Sequence, residues 1–376
     1  MKIKRTVVRP SIKEYLKAIE VLHSGRYILG EELKSLEEEF AKYCGSRYCV
    51  GVNSGTSALI LSLLATDVKG KEVITVPNSF VATANAIKLA GGKPVFVDVE
   101  DYTFNIDVGL VEEAITNKTK AIVPVDLYGH PCPLDELKEI AKYSDIKIIE
   151  DACQAAGSEY KNKKIGSISD LTCFSLFPSK NAHCFGDGGL ITTNDYIYYE
   201  KIKALRNQGR TSKDNAEYIG YNFRLNEINA GLAREQLKKL DKNNEKRRQI
   251  AKDYNEELKD IPLLHLPVEE AWAKHVYHLY TVVVEKGRDE LKKYLAENGI
   301  ETSINYPTPI HRQNAYKFEY QQTQCPVAEE LSNMILSLPM HPYLTPSEIE
   351  FICDCLRVWT CYKKNGFDKN SNMQKA

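Results

Sequence analysis

The sequence predicts an α/β protein with two parts: a large, mostly parallel mixed-sheet domain covered by helices, and a smaller C-terminal α/β domain. Three observations predict it. A chain of 376 residues is long for one compact core. From residue 48 short apolar runs alternate with helix-patterned segments, as in a sheet covered on both faces. Near residue 225 the alternation gives way to a polar, helix-forming stretch over 225–258, rich in Lys, Glu, Asn and Gln, that reads as a link. The domains are placed at 1–245 and 246–376.

The elements follow in order. Helical apolar spacing runs over 11–23 and 31–44, separated by a loop flanked by Gly25 and Gly30. Strands are expected at Tyr48–Val52, Glu72–Val76, Pro94–Val97, Ala121–Val125, Lys147–Glu150 and Leu171–Phe177. Helices are expected at Ser57–Ala65, Ala82–Ala90, Val111–Ile115 and Leu134–Tyr143. Beyond the link come a strand at Tyr277–Val284 and helices at Asp289–Asn298 and Val327–Leu336. The polar tail Asn365–Ala376 is expected to fray. No internal repeat or low-complexity tract interrupts this order.

Composition narrows the function. Lys plus Arg number 50 against 51 Asp plus Glu, a net charge of -1, so a partner bound by neutralising nucleic-acid phosphates or an anionic membrane is not expected. The start MKIKRTVVRP has no apolar run behind it, and no stretch nears the roughly 20 apolar residues of a membrane span. The ten cysteines lack paired metal-ligand spacing, and Cys353 and Cys355 are too close together, so no metal site is expected. Reduced, buried thiols in a cytoplasmic protein fit this usage.

The segment from Ile148 to Asp195 carries the strongest chemical signal. It holds Glu150-Asp151-Ala152-Cys153-Gln154, then Phe174-Ser175 and Pro178-Ser179-Lys180-Asn181, then Gly186-Asp187-Gly188-Gly189. Asp151 ends a strand, where an α/β sheet presents side chains to a ligand. Lys180 precedes glycines that let backbone approach a bound group closely. A lysine becomes nucleophilic near neutral pH when it is desolvated. Taken alone, Lys180 is also compatible with a solvated surface lysine and Asp151 with a helix cap.

A second block, Val52-Asn53-Ser54-Gly55-Thr56-Ser57, ends a strand, turns on glycine and opens a helix. Backbone N–H groups there suit a phosphate; an ordinary capped helix is the alternative. Phe80 lies between a strand end and a helix, where its ring could stack on a flat ligand or fill a core. Asn222 reads as a turn residue before a helix. Two loops are placed to meet a substrate, one with Tyr27 between Gly25 and Gly30, the other Asn305-Tyr306-Pro307-Thr308-Pro309-Ile310-His311. Either could be ordinary turn chemistry.

These blocks resemble the sugar aminotransferases of the DegT/DnrJ/EryC1/StrS group, from about Gly25 to about Pro342. The resemblance implies the fold-type-I aminotransferase architecture and pyridoxal 5'-phosphate as cofactor. It implies that Lys180 holds the cofactor as a Schiff base, that Asp151 pairs with the ring nitrogen and that Gln154 bonds the phenolic oxygen. By the same likeness Gly55, Thr56, Ser57 and Ser175 contact the phosphate, and Phe80 stacks on the ring. Asn222 would reach the phosphate of a neighbouring subunit, making the active unit a homodimer with shared sites. A dehydratase branch carries His at the Lys180 position, so Lys points to the aminotransferase branch.

The implied reaction moves an amino group from L-glutamate to a nucleotide-linked keto-deoxysugar, with Tyr27, Asn305, Tyr306 and His311 as substrate contacts. The Tyr27 loop resembles relatives acting at carbon 3, which implies a dTDP-3-keto-6-deoxyhexose. Carbon 4 is the alternative, as are a cofactor-binding regulator and a lyase on the same fold. The sequence departs from the group at Asn305, where many relatives have His, and at His183 and Cys184, where small or apolar residues are usual.

Overall fold

The computed structural model describes residues 2–142 and 145–364. The end of the helix expected to reach Tyr143, and the tail 365–376, lie outside the described residues.

Two helices open the chain, α1 (Ile12–Ser24) and α2 (Glu31–Cys44). Then come β1 (Tyr48–Val52), α3 (Gly55–Ala65), β2 (Glu72–Thr75), α4 (Ala82–Leu89), β3 (Lys93–Phe96), α5 (Val108–Ala114), β4 (Thr119–Val123), α6 (Leu134–Lys142) and β5 (Lys147–Asp151). The short strands β6 (Glu159–Tyr160) and β7 (Lys163–Lys164) precede β8 (Leu171–Ser175), β9 (Gly189–Thr193) and α7 (Tyr196–Arg206). The rest is α8 (Glu227–Leu237), α9 (Leu240–Leu258), β10 (Leu264–His265), β11 (Ala273–Lys274), β12 (Tyr280–Val284), α10 (Arg288–Glu297), α11 (Pro326–Met334), β13 (Ile335–Leu338) and α12 (Pro346–Lys364).

The large sheet has the order β1-β9-β8-β5-β4-β2-β3. Its pairs are parallel except where β9 meets β1 and β8. Six strands therefore run one way and β9 alone runs back. Alternation of side chains sorts the strand residues onto two faces. Ile74, Ile122, Ile148 and Phe174 join one buried cluster, while Val73, Ala121, Ile149 and Cys173 join another under α3 and α7. The expected covered, mostly parallel sheet is present.

A smaller sheet, β10-β12-β13, packs with a third buried cluster that holds Tyr254 and Leu258 of α9 and Ile352, Leu356 and Trp359 of α12. Helix α9 begins with Leu240 in the first cluster and ends in this one. The start of the chain also joins it, for Ile3 pairs with Ile300.

Several expected elements differ. The stretch 225–258 is two helices, parted at Lys238 and Lys239, because α8 packs on α1 and α2 while α9 turns toward α12. Tyr277 lies outside β12 because its φ is 43°, a left-handed backbone that a ladder does not accept. Leu336 is not helical: Ile335–Leu338 pairs with β12. Helix α3 begins at Gly55 rather than Ser57. Helices α7 and α12 and strand β9 were not anticipated.

Candidate active site

Strands β1, β2, β5 and β8 end on one side of the sheet, and the segments that follow them enclose a cavity of about 510 Å³. The expected Gly55, Thr56, Phe80, Asp151, Gln154, Ser175, Lys180, Asn305 and Tyr306 all line it, with Arg5, Thr83, Cys153 and His278. A groove of about 570 Å³ between α2, α7 and residues 207–218 is larger. It lacks a lysine facing a buried carboxylate at strand ends, so the chemistry is placed in the first cavity.

Asp151 is buried at the end of β5. Its Oδ2 accepts from Thr83 Oγ1 at 2.8 Å, and its Oδ1 accepts from the Cys153 N–H at 3.2 Å. Ser79 Oγ donates to Thr83 Oγ1 at 2.9 Å, so the carboxylate is oriented through two hydroxyls. Gln154 Oε1 accepts from the Tyr128 N–H at 2.8 Å, which leaves its Nε2 to donate to the Tyr306 hydroxyl at 3.2 Å. Tyr306 and Phe80 stand with ring centroids 5.9 Å apart. Tyr128 donates to the Asn305 carbonyl, and Ser303 Oγ donates to Asn305 Oδ1 at 2.6 Å, so Asn305 holds the wall in place.

Lys180 stands in the turn between β8 and β9, its N–H bonded to Phe177 O at 2.9 Å. Burial holds its amine below the usual lysine range, against the opposing pull of Cys153 and Asp151. A larger share is therefore neutral near pH 7, as a nucleophile or base requires.

The start of α3 has the character of an anion cradle. Ser54 caps the helix: its Oγ takes the Ser57 N–H at 3.0 Å and its carbonyl takes the Ala58 N–H at 3.0 Å. No intrachain acceptor meets the Gly55 and Thr56 N–H groups among the described residues, and both residues face the cavity. A Cβ on Gly55 would lie 2.9 Å from Cys153 Sγ and from Ser175 Cβ, so glycine keeps the backbone close to the cavity.

Three expected contacts lie elsewhere, and Asn222, expected in a neighbouring subunit's site, lies outside its own chain's cavity. Ser57 is not in the lining: its hydroxyl donates to Asn53 Oδ1 at 2.6 Å, and Ser54 lines the cavity instead. His311 is wholly buried in a 3-10 turn, with Nε2 2.9 Å from Glu329 Oε1 and its ring beside Phe96. A side chain so enclosed does not reach a substrate in the cavity. Tyr27 is half exposed outside it, donating to Leu22 O at 3.2 Å. Asn222 is exposed and accepts from Arg224 Nε at 2.9 Å. His183 packs edge-on against Phe185, and burial and the nearby Arg247 charge lower it to about 4. Buried Cys184 donates to the carbonyls of Leu176 and Gly186. The sequence reading missed Arg5, Thr83 and His278, and no motif flags them.

The residues fit pyridoxal phosphate. An amine of depressed basicity and a buried carboxylate share one cavity with a helix start offering two open N–H groups. A family model, the DegT/DnrJ/EryC1/StrS aminotransferase family, matches residues 11–357. The chain belongs to this family. It is 42% identical over 337 residues to a dTDP-3-amino-3,6-dideoxy-alpha-D-galactopyranose transaminase of Aneurinibacillus thermoaerophilus, covering 89% of this chain and 92% of that one. The crystal structure of DesV from S. venezuelae superposes with a TM-score of 0.90 at 40% identity, covering 92% of this chain and 94% of that one. A Bacillus subtilis structure with bound pyridoxamine phosphate gives 0.87 at 31% identity, covering 93% and 83%. The family member described here is an aminotransferase that depends on pyridoxal phosphate, and its fold is that of the fold-type-I enzymes.

Among the described residues, no group of three or more His, Cys, Asp or Glu could hold a metal ion, and no helix is long and apolar enough to cross a membrane. Eight of the ten free cysteines are buried, Cys153 is half-buried and Cys361 is exposed.

Proposed function

We propose that this aminotransferase moves the amino group of L-glutamate to the keto carbon of a nucleotide-linked deoxysugar, with a dTDP-3-keto-6-deoxyhexose as the favoured acceptor. The observation that carries it is that Lys180 and buried Asp151 line one cavity with an aromatic pair, Phe80 and Tyr306, of which Phe80 is exposed. The acceptor is supported by the relatives named for dTDP-3-amino sugars.

Bound pyridoxal phosphate supplies the electron sink for the exchange. Asp151 would set its carboxylate against the ring nitrogen and keep that nitrogen protonated. Thr83 and the Cys153 N–H fix the carboxylate's angle. Gln154, oriented by the Tyr128 N–H and the Tyr306 hydroxyl, would bond the phenolic oxygen. The Gly55 and Thr56 N–H groups and the Ser175 hydroxyl would hold the phosphate at the positive end of α3. Lys180 would hold the cofactor between turnovers and, when free, its neutral Nζ would carry the proton from the donor's α-carbon to the carbon on the far side of the shared nitrogen. In the return half-reaction the same amine moves the proton in the opposite sense.

Asn222 lies outside its own chain's cavity, and we read it as a contact to the phosphate of a second copy, so that the working unit is a homodimer with shared sites. Glutamate titration of the pyridoxal form tests the first half-reaction by the shift in cofactor absorbance. Adding a panel of dTDP-linked 3-keto and 4-keto sugars tests the second. A protein that keeps its absorbance through every amino donor tried is not an aminotransferase of this substrate class.

A further inference from the structure

Arg5 lies outside every motif, yet its side chain lines the cavity beside His278, Asn305 and Tyr306. Its backbone is held at both ends. The Ile3 N–H donates to Gly299 O at 2.8 Å, the Glu301 N–H donates to Ile3 O at 3.0 Å, and the Met340 N–H donates to Arg5 O at 3.2 Å. The Arg5 N–H itself donates to Glu301 Oε2 at 3.4 Å, while Glu301 Oε1 pairs with Lys2. These bonds anchor the main chain and leave the guanidinium to the cavity.

Among the described residues that guanidinium has neither an ion pair nor a hydrogen bond. An arginine stays charged at every pH that a folded protein meets. Holding such a charge half-buried without a counter-ion costs stability, and the cost is recovered when an anion arrives. The planar fork accepts a carboxylate or a phosphate through two parallel bonds. Besides Lys180, Arg5 is the only Lys or Arg of the lining.

Its location selects among the anions that visit the site. The cofactor phosphate has its own cradle at Gly55, Thr56 and Ser175. Arg5 enters the lining from the N-terminal segment that pairs with Ile300, not from the helix start. Arg5, Lys180 and His278 line the same cavity, so an anion held by Arg5 shares that space with the reacting amine. The carboxylate of an α-amino acid is two bonds from the nitrogen it gives up. The diphosphate of a nucleotide sugar is separated from its keto carbon by part of the hexose ring.

We propose that Arg5 binds the α-carboxylate of the amino donor, orienting the donor nitrogen toward the atom that Lys180 vacates. This rests on the aminotransfer reading above. It also makes one residue of the N-terminal segment serve a single half-reaction, because the keto sugar brings no carboxylate to that place.

The test uses holoenzyme of wild type, Arg5→Gln and Arg5→Lys, with cofactor absorbance and melting temperature confirming that each variant is folded and loaded. 2-Oxoglutarate, which cannot react with the pyridoxal form, is titrated by calorimetry, and dTDP is titrated in parallel. Glutamate is then added and the absorbance change followed. The proposal expects Arg5→Gln to weaken 2-oxoglutarate at least about tenfold and to raise half-saturating glutamate similarly. It expects dTDP affinity to be unchanged and Arg5→Lys to recover part of the loss. Wild-type affinity of Arg5→Gln for both glutamate and 2-oxoglutarate overturns the proposal alone. A loss confined to dTDP overturns it in favour of a diphosphate contact. Wild-type enzyme that ignores glutamate overturns the aminotransfer reading, and this proposal with it.

Discussion

The floor and the rim of the cavity are built differently. On the floor, Asp151, Thr83, Gln154 and Gly55 are buried, and each polar side chain is tied to a named partner. On the rim, Phe80 and Phe177 are more than half or half exposed, Arg5 has no counter-ion among the described residues, and Asn222 lies exposed outside the lining. A floor whose hydrogen bonds are satisfied holds one geometry, which suits a cofactor that stays. A rim with unspent groups suits ligands that come and go, or a second copy. The difference teaches where substitutions should act: floor changes on chemistry, rim changes on affinity and assembly.

Lys180→Ala should mark the floor's largest effect. Turnover is expected to fall by about a thousandfold or more, the scale for losing a positioned proton carrier. Borohydride should fix cofactor to the wild-type chain at Lys180 and leave the variant's peptide mass unchanged; an adduct on another lysine would break the assignment. Mixing that variant with Asn222→Ala tests the rim by assembly. If the two act in one shared site, random exchange should restore about a quarter of the sites. Verified exchange with no recovery would place the whole site in one chain.

Asp151→Asn is the next step down. Removing the charge but keeping the shape should cost about 2 kcal/mol in kcat/KM, roughly thirtyfold. Thr83→Val should follow in the same direction with a smaller loss. Near-normal kinetics for Asp151→Asn would detach the floor from the chemistry.

His311→Ala separates packing from binding. The side chain is enclosed and paired with Glu329, so the variant should lose about 1–3 kcal/mol of stability by chemical denaturation. Its KM for the nucleotide sugar should not move. A raised KM at unchanged stability would return His311 to the substrate.

The smallest effect concerns pH and the cofactor-free protein. The folded pKa of Lys180 lies below the unfolded one, so its penalty is full below the folded value and fades as pH rises toward the ordinary lysine range. Apo Lys180→Met should therefore melt above apo wild type at pH 7, with the gap narrowing toward pH 10. A constant gap would mean that packing, not charge, sets it.

Much of the floor was legible because one strand end, one helix start and one lysine turn each sit within a few residues. Asp151 with Gln154, Gly55 with Thr56, and Lys180 before its glycines are local patterns, and the sheet gathers them by placing parallel strand ends together. Arg5 and His278 were not legible, since they reach the cavity only through the pairing of Ile3 with Ile300 and the turn before β12. His311 misled because a proline-rich loop reads as exposed, whereas Glu329 of α11 draws it inward. Helix α12 escaped notice because Phe, Val, Trp, Thr and Cys, all indifferent helix formers, fill much of it. Packing against α9 and α10 decides its state instead.

The turn that carries Lys180 has one more consequence. It is closed by two backbone bonds, Lys180 N to Phe177 O at 2.9 Å and Cys184 N to Leu176 O at 2.9 Å, so the residue's main chain is fixed. Only four methylenes remain to move, and the amine is a reagent on a short tether. Intramolecular groups so confined act at effective molarities of about 10⁵ M or more when well aligned. No dissolved amine reaches such a concentration. If Lys180 holds the cofactor as proposed, the tether makes it both the group displaced by the incoming donor and a competitor always present to take the cofactor back, which would return the enzyme to its starting state without a further encounter.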